Sequence, residues 1–165
     1  MSLTLRPATP QDDQFVYDLI YRNLAETLHA DTWDERIRHP LLDLQVRAKH
    51  GSYAVSHPNA EYAIIQLDDK PIGRLIIDRS GAFYDLVDIA ILAKHRSAGI
   101  GSRLILAICT EAGMMKKNVR LYVSAGNPRA AALYRRLGFR VVEDRQSDLL
   151  MERAPGDPSQ LVASP

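Results

Sequence analysis

A run of apolar residues at steps of three and four is the first clear pattern in the sequence. It comprises Phe15, Val16, Leu19, Ile20, Leu24 and Leu28. Because an α-helix turns once in about 3.6 residues, this spacing places the apolar side chains on one face. The run follows Thr9-Pro10, where threonine suits a helix cap and proline suits the first helical position. The pattern predicts an amphipathic helix that begins near Pro10, and the looser pattern over residues 27–51 indicates only a second helix near residues 40–49.

Strand-like segments occupy much of the rest of the chain. Residues 61–67 and 72–77 are rich in β-forming side chains and are separated by a spacer of hairpin length, Asp68-Asp69-Lys70-Pro71. Residues 83–92 are apolar at odd and even positions from Leu86 onward, apart from Asp88, as expected of a central strand covered on both faces. Shorter strands are predicted at residues 3–5, 119–124, 140–142 and 148–152.

The order of these elements indicates the fold class. A helical stripe over residues 99–115 lies between the strands at 83–92 and 119–124, which predicts a βαβ unit with parallel strands and a right-handed crossover. The hairpins elsewhere predict antiparallel neighbours, so we expect an α/β (α+β) fold with a mixed, mostly antiparallel central sheet. A short helix follows Asn127-Pro128 and ends at Gly138. We expect one domain over residues 1–153, followed by a loose tail over residues 154–165.

The composition is that of an ordinary globular protein, with 165 residues of which 46% are hydrophobic and 25% are charged. The net charge of +1 provides no bulk field that would attract nucleic acid or an anionic membrane. No apolar run approaches the roughly 20 residues that span a bilayer. The single cysteine, Cys109, cannot form an internal disulfide, and the five histidines are not paired at metal-ligand spacing. We therefore expect a cytoplasmic protein with no metal, no nucleic-acid partner and no membrane partner.

An anion-binding loop is predicted between the central strand and the helix that follows it. The segment reads Arg96, Ser97, Ala98, Gly99, Ile100, Gly101 and Ser102. Its two glycines allow backbone N–H groups to approach a ligand, and the helix N-terminus adds a partial positive charge. Arg96 adds a full charge, and Ser102 adds a hydroxyl group. A Walker loop would need lysine after the second glycine, and a dinucleotide fingerprint would need a small residue in place of Leu104, so both fit worse.

The sequence contains two motifs about one strand apart: Arg96-x-x-Gly99-x-Gly101 at the head of a helix, and then Asn127-x-x-Ala130-x-x-x-Tyr134-x-x-x-Gly138-Phe139. Together they resemble the GNAT superfamily of acetyl-CoA-dependent N-acetyltransferases. The predicted elements also follow the order of that family's fold over residues 3–153. The resemblance implies acetyl-CoA as co-substrate, an amine as acceptor, and splayed central strands that admit the cofactor. It further implies a homodimer as one candidate assembly, because members of the family often dimerise.

The resemblance also assigns roles to individual positions. Residues 96–102 match the pyrophosphate loop of the family. Backbone groups near Ile91 match those that pair with the pantetheine arm of the cofactor. Asn127 matches a residue that contacts the pantetheine region, and Tyr134 matches the tyrosine that lies near the thioester sulfur. Ala98 departs from the family pattern, because lysine or arginine is common at that position.

Acetyl transfer to an amine needs a group that accepts a proton and a group that donates one. The departing thiolate needs a donor, and Tyr134 is the candidate because a phenol can supply a proton or a strong hydrogen bond. Asp88 is the candidate base, because a carboxylate that interrupts an apolar strand is costly unless it is paired or functional. A structural ion pair between Asp88 and a residue of a neighbouring strand, such as Arg74, is an equal alternative. Asp85 and Glu61 are further candidates that would act through water.

The sequence thus predicts an enzyme of the acyltransferase class. The expected reaction is direct attack of a primary amine on the thioester of acetyl-CoA, without an acyl-enzyme. Small amines, amino acids and polyamines are favoured over a protein N-terminus, because Tyr122 stands where some N-terminal acetyltransferases have glutamate. The alternative is a non-catalytic acyl-CoA sensor or interaction module of the same fold.

Overall fold

The structure is a computed structural model that describes residues 1–156, so most of the predicted tail, from residue 157 onward, lies outside the described residues. The strands are β1 (Leu3–Pro7), β2 (Glu61–Leu67), β3 (Lys70–Asp78), β4 (Tyr84–Ile91), β5 (Val119–Ser124), β6 (Arg140–Asp144) and β7 (Asp148–Arg153). The helices are α1 (Asp13–Thr27), α2 (Glu35–Ser56), α3 (Ile100–Met114) and α4 (Pro128–Arg136). None of the helices within residues 1–156 combines the length and the apolarity needed to cross a bilayer.

The strands form a mixed sheet of seven in the order β1-β2-β3-β4-β5-β7-β6. The pairs β1–β2, β2–β3, β5–β7 and β6–β7 are antiparallel, and β4–β5 is parallel. This topology confirms the predicted α/β class with a mostly antiparallel sheet and one βαβ unit. Within residues 1–156, strands β4 and β5 pair at Tyr84 with Val119 and at Asp85 with Arg120, near the start of both strands.

The fold divides into two compact units, and the first consists of Met1–Ile77 and Val87–Ile100. Its helices α1 and α2 pack on the sheet through a cluster of Leu19, Ile20, Val46 and Ala90. The apolar stripe predicted for the first helix therefore faces this core. Because Ala90 of β4 belongs to the cluster, the end of β4 faces the two helices.

Among the described residues, the second unit consists of Asp78–Leu86 and residues 101–156. Helix α3 buries an apolar stripe, and strands β5 and β7 bury their inward side chains: Leu104, Ile105, Ile108, Cys109, Ala112, Val119, Leu121 and Met151. Cys109 is reduced and buried, as its position on the stripe predicts. Burial raises the pKa of its thiol above the ordinary value.

Helix α2 is much longer than the helix predicted at residues 40–49. It begins after Asp34, whose carboxylate accepts a hydrogen bond from the backbone N–H of Arg36 at 2.9 Å. Pro40 lies inside the helix, where proline ordinarily argues against a helical assignment. Apolar residues such as Ile37 and Val55 are exposed on its surface, so no single apolar stripe marks its full length.

Gly73 of β3 allows a close approach of β4 within the first unit. A Cβ atom at this position would overlap the backbone carbonyl oxygen of Ala90 and lie 3.3 Å from the Cα of Ile91. Because backbone atoms cannot move aside as a flexible side chain can, we expect Gly73→Ala to lower the free energy of unfolding by about 1–3 kcal/mol. Urea denaturation measures the change. Gly51→Ala is the control, because Gly51 lies in α2 with open space around it, and alanine there is expected to raise stability by up to about 1 kcal/mol. An equal effect at both positions would contradict the close approach.

Candidate functional site

The predicted anion-binding loop is an exposed turn that leads from β4 into α3. A 3₁₀ turn at Ala93–His95 follows β4, and α3 begins at Ile100. Ser97 and Gly99 both have left-handed backbone conformations, with φ of 62° and 75°. Ile100 is buried, whereas residues 96–99 are exposed. The loop is therefore anchored by Ile100 and presents its backbone to solvent. Gly101 and Ser102 lie in the first turn of α3.

Arg96 contacts α1 and β4 in this structure. Its Nη1 donates a hydrogen bond to Oε2 of Glu26 at 2.7 Å, and its Nη2 donates to Oδ1 of Asn23. Its Nε donates to the carbonyl oxygen of Ile91 at 3.1 Å, so two of the predicted cofactor-binding residues are in direct contact. The ion pair with Glu26 is solvent-exposed, and such a pair contributes only about 0–1 kcal/mol. The pair with Glu26 is therefore only a weak constraint on the side chain.

Asn127 has a structural role as the cap of α4. Its Oδ1 accepts a hydrogen bond from the backbone N–H of Ala130 at 3.1 Å, and Pro128 occupies the first helical position, as the sequence predicts. The helix ends as predicted, because Gly138 follows it with φ of 90°. The contact of Asn127 with pantetheine stays a prediction.

Tyr134 is half-buried on α4. Its ring meets that of Phe139 edge-on, with the ring centres 5.8 Å apart. The backbone carbonyl of Tyr134 accepts hydrogen bonds from the N–H groups of Leu137 and Phe139, which fixes the end of the helix. The side chain is thus held by aromatic packing at one face without being sealed in the core.

Asp88 lies at the centre of a polar network in the first unit. Its Oδ2 accepts a hydrogen bond from Nη2 of Arg74 at 2.6 Å, and its Oδ1 accepts one from the hydroxyl of Tyr53 at 3.1 Å. The ammonium group of Lys49 lies 3.6 Å from the same Oδ1. The structure therefore contains the Arg74–Asp88 pair that the sequence suggested as the alternative to a free base. Asp85, by contrast, pairs with Arg120 at 4.0 Å in the second unit.

Tyr53 and Lys49 are members of this network that the sequence did not identify. Burial, followed by the charge of Asp88, raises the pKa of the Tyr53 phenol well above its ordinary value, so its hydroxyl stays protonated as a donor to Asp88. The Nζ of Lys49 and the guanidinium of Arg74 each lie 5.9 Å from the centre of the Tyr53 ring. The sequence carried no signal for these contacts, because residue 53 falls outside the predicted helix.

A cavity of about 380 Å³ lies beside this network in the first unit. Residues of α1, α2 and β3 line it, and they include Arg74 and Lys49 from the Asp88 network. Small-molecule sites in proteins commonly have volumes of about 300–1,000 Å³. The cavity therefore has room for a small ligand.

Comparison with known proteins identifies the family. The family model described as an acetyltransferase (GNAT) domain matches residues 58–141, which are 84 of the 165 residues. This segment includes the whole of the predicted cofactor loop, Asn127 and Tyr134. No curated protein matches the sequence significantly.

Solved structures with the same fold cover nearly the whole chain. PaiA N-acetyltransferase from Thermoplasma acidophilum in complex with coenzyme A aligns with a TM-score of 0.69 and 20% identity, over 93% of this chain and 99% of its own. A GNAT family acetyltransferase from Elizabethkingia anophelis with acetyl-CoA bound aligns with a TM-score of 0.59 and 17% identity, over 92% and 97%. The K23-Q34 chimera of spermidine N-acetyltransferase SpeG, from Vibrio cholerae and hSSAT, aligns with a TM-score of 0.63 and 18% identity, over 99% of this chain and 100% of its own.

These identities are low, so the structural similarities establish the fold, whereas the sequence match over residues 58–141 establishes the family. The fold, the sequence match and the paired motifs agree. The chain belongs to the GNAT acetyltransferase family.

Proposed function

We propose that this protein transfers the acetyl group of acetyl-CoA to a primary amine. The observation that carries the proposal is the exposed left-handed turn at Ser97 and Gly99, which leads into the N-terminus of α3 within the segment matched by the family model. A helix N-terminus presents unpaired backbone N–H groups and a partial positive charge, both of which suit a diphosphate. Relatives of the same fold that contain coenzyme A or acetyl-CoA support this choice of ligand.

In this proposal the backbone of residues 96–102 holds the pyrophosphate. Because Ala98 supplies no charge, Arg96 is the cation of this loop, and it must leave the exposed pair with Glu26 to reach a phosphate. The diphosphate carries two negative charges against the single charge of the glutamate it replaces, and a bidentate guanidinium–phosphate pair is favourable. The main-chain groups near Ile91 are proposed to pair with the pantetheine arm, and Asn127 is proposed to contact the same region.

The chemical step is a direct displacement. The amine nitrogen attacks the thioester carbonyl carbon, the carbon–sulfur bond breaks, and coenzyme A leaves as a thiolate that takes a proton. A free alkylamine group has a pKa of about 10.4, so only about one molecule in a few thousand is deprotonated at pH 7. A proton acceptor near the amine is therefore needed, and general-base assistance contributes typically about 10²- to 10⁴-fold.

Asp88 is the proposed proton acceptor, directly or through a water molecule. Arg74 and Tyr53 hold its carboxylate in place, and a carboxylate has about four lone-pair directions, so these contacts leave room for a further donor. Tyr134 is the proposed donor to the departing thiolate. Its phenol gives a proton or a strong hydrogen bond to sulfur and is restored from solvent.

Release of the coenzyme A thiol tests the proposed function. Purified protein is incubated with acetyl-CoA and a panel of primary amines, and free thiol is measured against reactions without amine or without protein. Amine-dependent release together with an N-acetylated product in the mass spectrum is the expected result. Thermal stabilisation by acetyl-CoA without release across the whole panel would instead identify a sensor of the same fold.

Asp88→Asn tests the proposed base. We expect the turnover rate at neutral pH to fall by about 10²-fold or more, and the remaining rate to rise with pH as free amine becomes available. The pH–rate profiles of the wild type and the variant are the measurement. The substitution also removes the partner of the buried Arg74, which lowers stability, so the unfolding temperature is recorded in parallel. A lower unfolding temperature with an unchanged profile would assign Asp88 to structure alone.

A further inference from the structure

The chemistry of the cavity indicates which amines this enzyme accepts. Three cationic side chains line it: Arg47 and Lys49 on α2, and Arg74 on β3. Their carboxylate partners, Asp43 and Asp88, are not among the lining residues, so a ligand in the cavity contacts these cations, and Asp88 would take the proton of a bound amine through a water molecule. His50 also lines the cavity.

Arg74 is the most deeply buried of these cations, since only 3% of its surface is exposed. Its Nη2 bonds Asp88, but its buried Nε finds no hydrogen-bond acceptor among residues 1–156. A guanidinium binds a carboxylate through its N–H groups, and Arg74 lines the cavity, so this residue is placed to bind a ligand carboxylate.

The other lining residues of the cavity have a different chemistry. Val16 and Ile20 of α1 and Val46 of α2 provide an apolar surface. Among the residues that line this cavity, Asp13 on α1 is the only acidic one. A lining with several cations, one carboxylate and an apolar wall matches a small zwitterion that has an apolar side chain.

We propose that the acceptor is an amine that carries a carboxylate, of the class of α-amino acids with apolar side chains. The carboxylate binds Lys49 and Arg74, with Arg47 at the rim, and the side chain packs on Val16 and Ile20. This inference rests on the proposed acetyltransferase function and deepens it. A polyamine carries several positive charges, so the same cations would repel it. The cavity volume of about 380 Å³ is small for the N-terminal segment of a protein substrate.

The test compares acceptors that differ only at the carboxylate. Leucine is compared with leucinamide and 3-methylbutylamine, and phenylalanine with phenylalaninamide and phenethylamine, with spermidine as a polycation. For each acceptor, kcat/KM is measured by thiol release from acetyl-CoA. An α-amino group beside an amide titrates near about 8, below an ordinary alkylamine, so the amides offer more free amine at neutral pH. A preference for an amino acid over its amide therefore cannot arise from amine protonation, and the amide is the decisive comparison because the decarboxylated amines are more fully protonated than the amino acids.

We expect kcat/KM to be at least about tenfold higher for each amino acid than for its amide or its decarboxylated amine, as a charge-assisted contact provides. Lys49→Gln should reduce this ratio by about tenfold, mainly through a higher KM for the amino acid. Because Lys49 also lies beside Asp88, the substitution can change the rates with all acceptors together, and the ratio is therefore the readout. Arg47→Gln should reduce the ratio less, because Arg47 is largely exposed. Arg36→Gln is the matched control: Arg36 lies on the same helix, also pairs with an aspartate, and does not line the cavity.

The outcomes separate this inference from the proposed function. Equal use of amides and amines, preference for spermidine, or a ratio that Lys49→Gln leaves unchanged in a folded protein would overturn the inference and leave the acetyltransferase function intact. No thiol release with any acceptor would overturn the proposed function itself. An unfolding temperature close to that of the wild type verifies that each variant is folded.

Discussion

Gly101→Asp is expected to weaken coenzyme A binding by at least about 100-fold. The substitution places a side chain and a negative charge in the first turn of α3, where the diphosphate is proposed to lie. It removes hydrogen bonds from backbone N–H groups to a charged ligand, each of which contributes about 1.5–3 kcal/mol, and it adds repulsion between like charges. Isothermal titration with coenzyme A measures the loss.

Gly113→Asp is the matched control for this experiment. Gly113 lies in the last turns of the same helix, and open space surrounds the position where its Cβ would be. The control adds the same charge to the same helix, with a cost to the helix dipole of about 0.3–1 kcal/mol and no effect on the loop. Unchanged affinity in a folded Gly101→Asp protein would show that the nucleotide binds elsewhere.

Tyr134→Phe is expected to lower kcat by at least about tenfold while the affinity for acetyl-CoA changes little. Phenylalanine keeps the ring and its edge contact with Phe139, so only the hydroxyl is lost. Without that proton donor, the thiolate leaves unassisted, and the barrier of the displacement rises by about 1.4 kcal/mol or more. Steady-state turnover and equilibrium binding measured on the same preparation separate the two effects.

Tyr122→Phe serves as the comparison for Tyr134. Tyr122 lies on β5, where about half of it is exposed, and its ring meets the guanidinium of Arg145. Tyr122→Phe also removes a phenolic hydroxyl, but we expect it to leave turnover unchanged. Full turnover in Tyr134→Phe, or an equal loss in both variants, would contradict the assignment of Tyr134 as the donor.

Elements with strong local patterns were predictable from the sequence. The bounds of β2 and β5 agree with the predicted 61–67 and 119–124, because each is a short β-rich run between polar turns. The cap of α4 was predictable because Asn127, Pro128 and Gly138 each have a backbone preference that acts locally. Helix α2 was predicted far too short, because its packing against α1 stabilises a segment whose own residues, Pro40 above all, argue against a helix.

The candidate site was predictable only in part, for a related reason. The cofactor loop is one continuous segment, so its glycines and its helix start can be read together. The cavity combines side chains from α1, α2 and β3, and no sequence spacing connects Val16, Lys49 and Arg74. The sequence predicts the ion pair of Asp88 with Arg74 as one of two roles for Asp88, because a carboxylate in an apolar strand needs a partner. Which residues complete its surroundings depends on tertiary packing.

The reactivity of the Cys109 thiol can be used to measure unfolding of the protein. It is the only cysteine in the sequence, it is buried on α3, and its thiol has a raised pKa. Reagents that capture the thiolate should therefore react slowly with the native chain and quickly once α3 loses its packing. The native background in a colorimetric assay of released coenzyme A will be low for the same reason. The labelling rate of this single sulfur can then distinguish a substitution that disables chemistry from one that loosens the second unit.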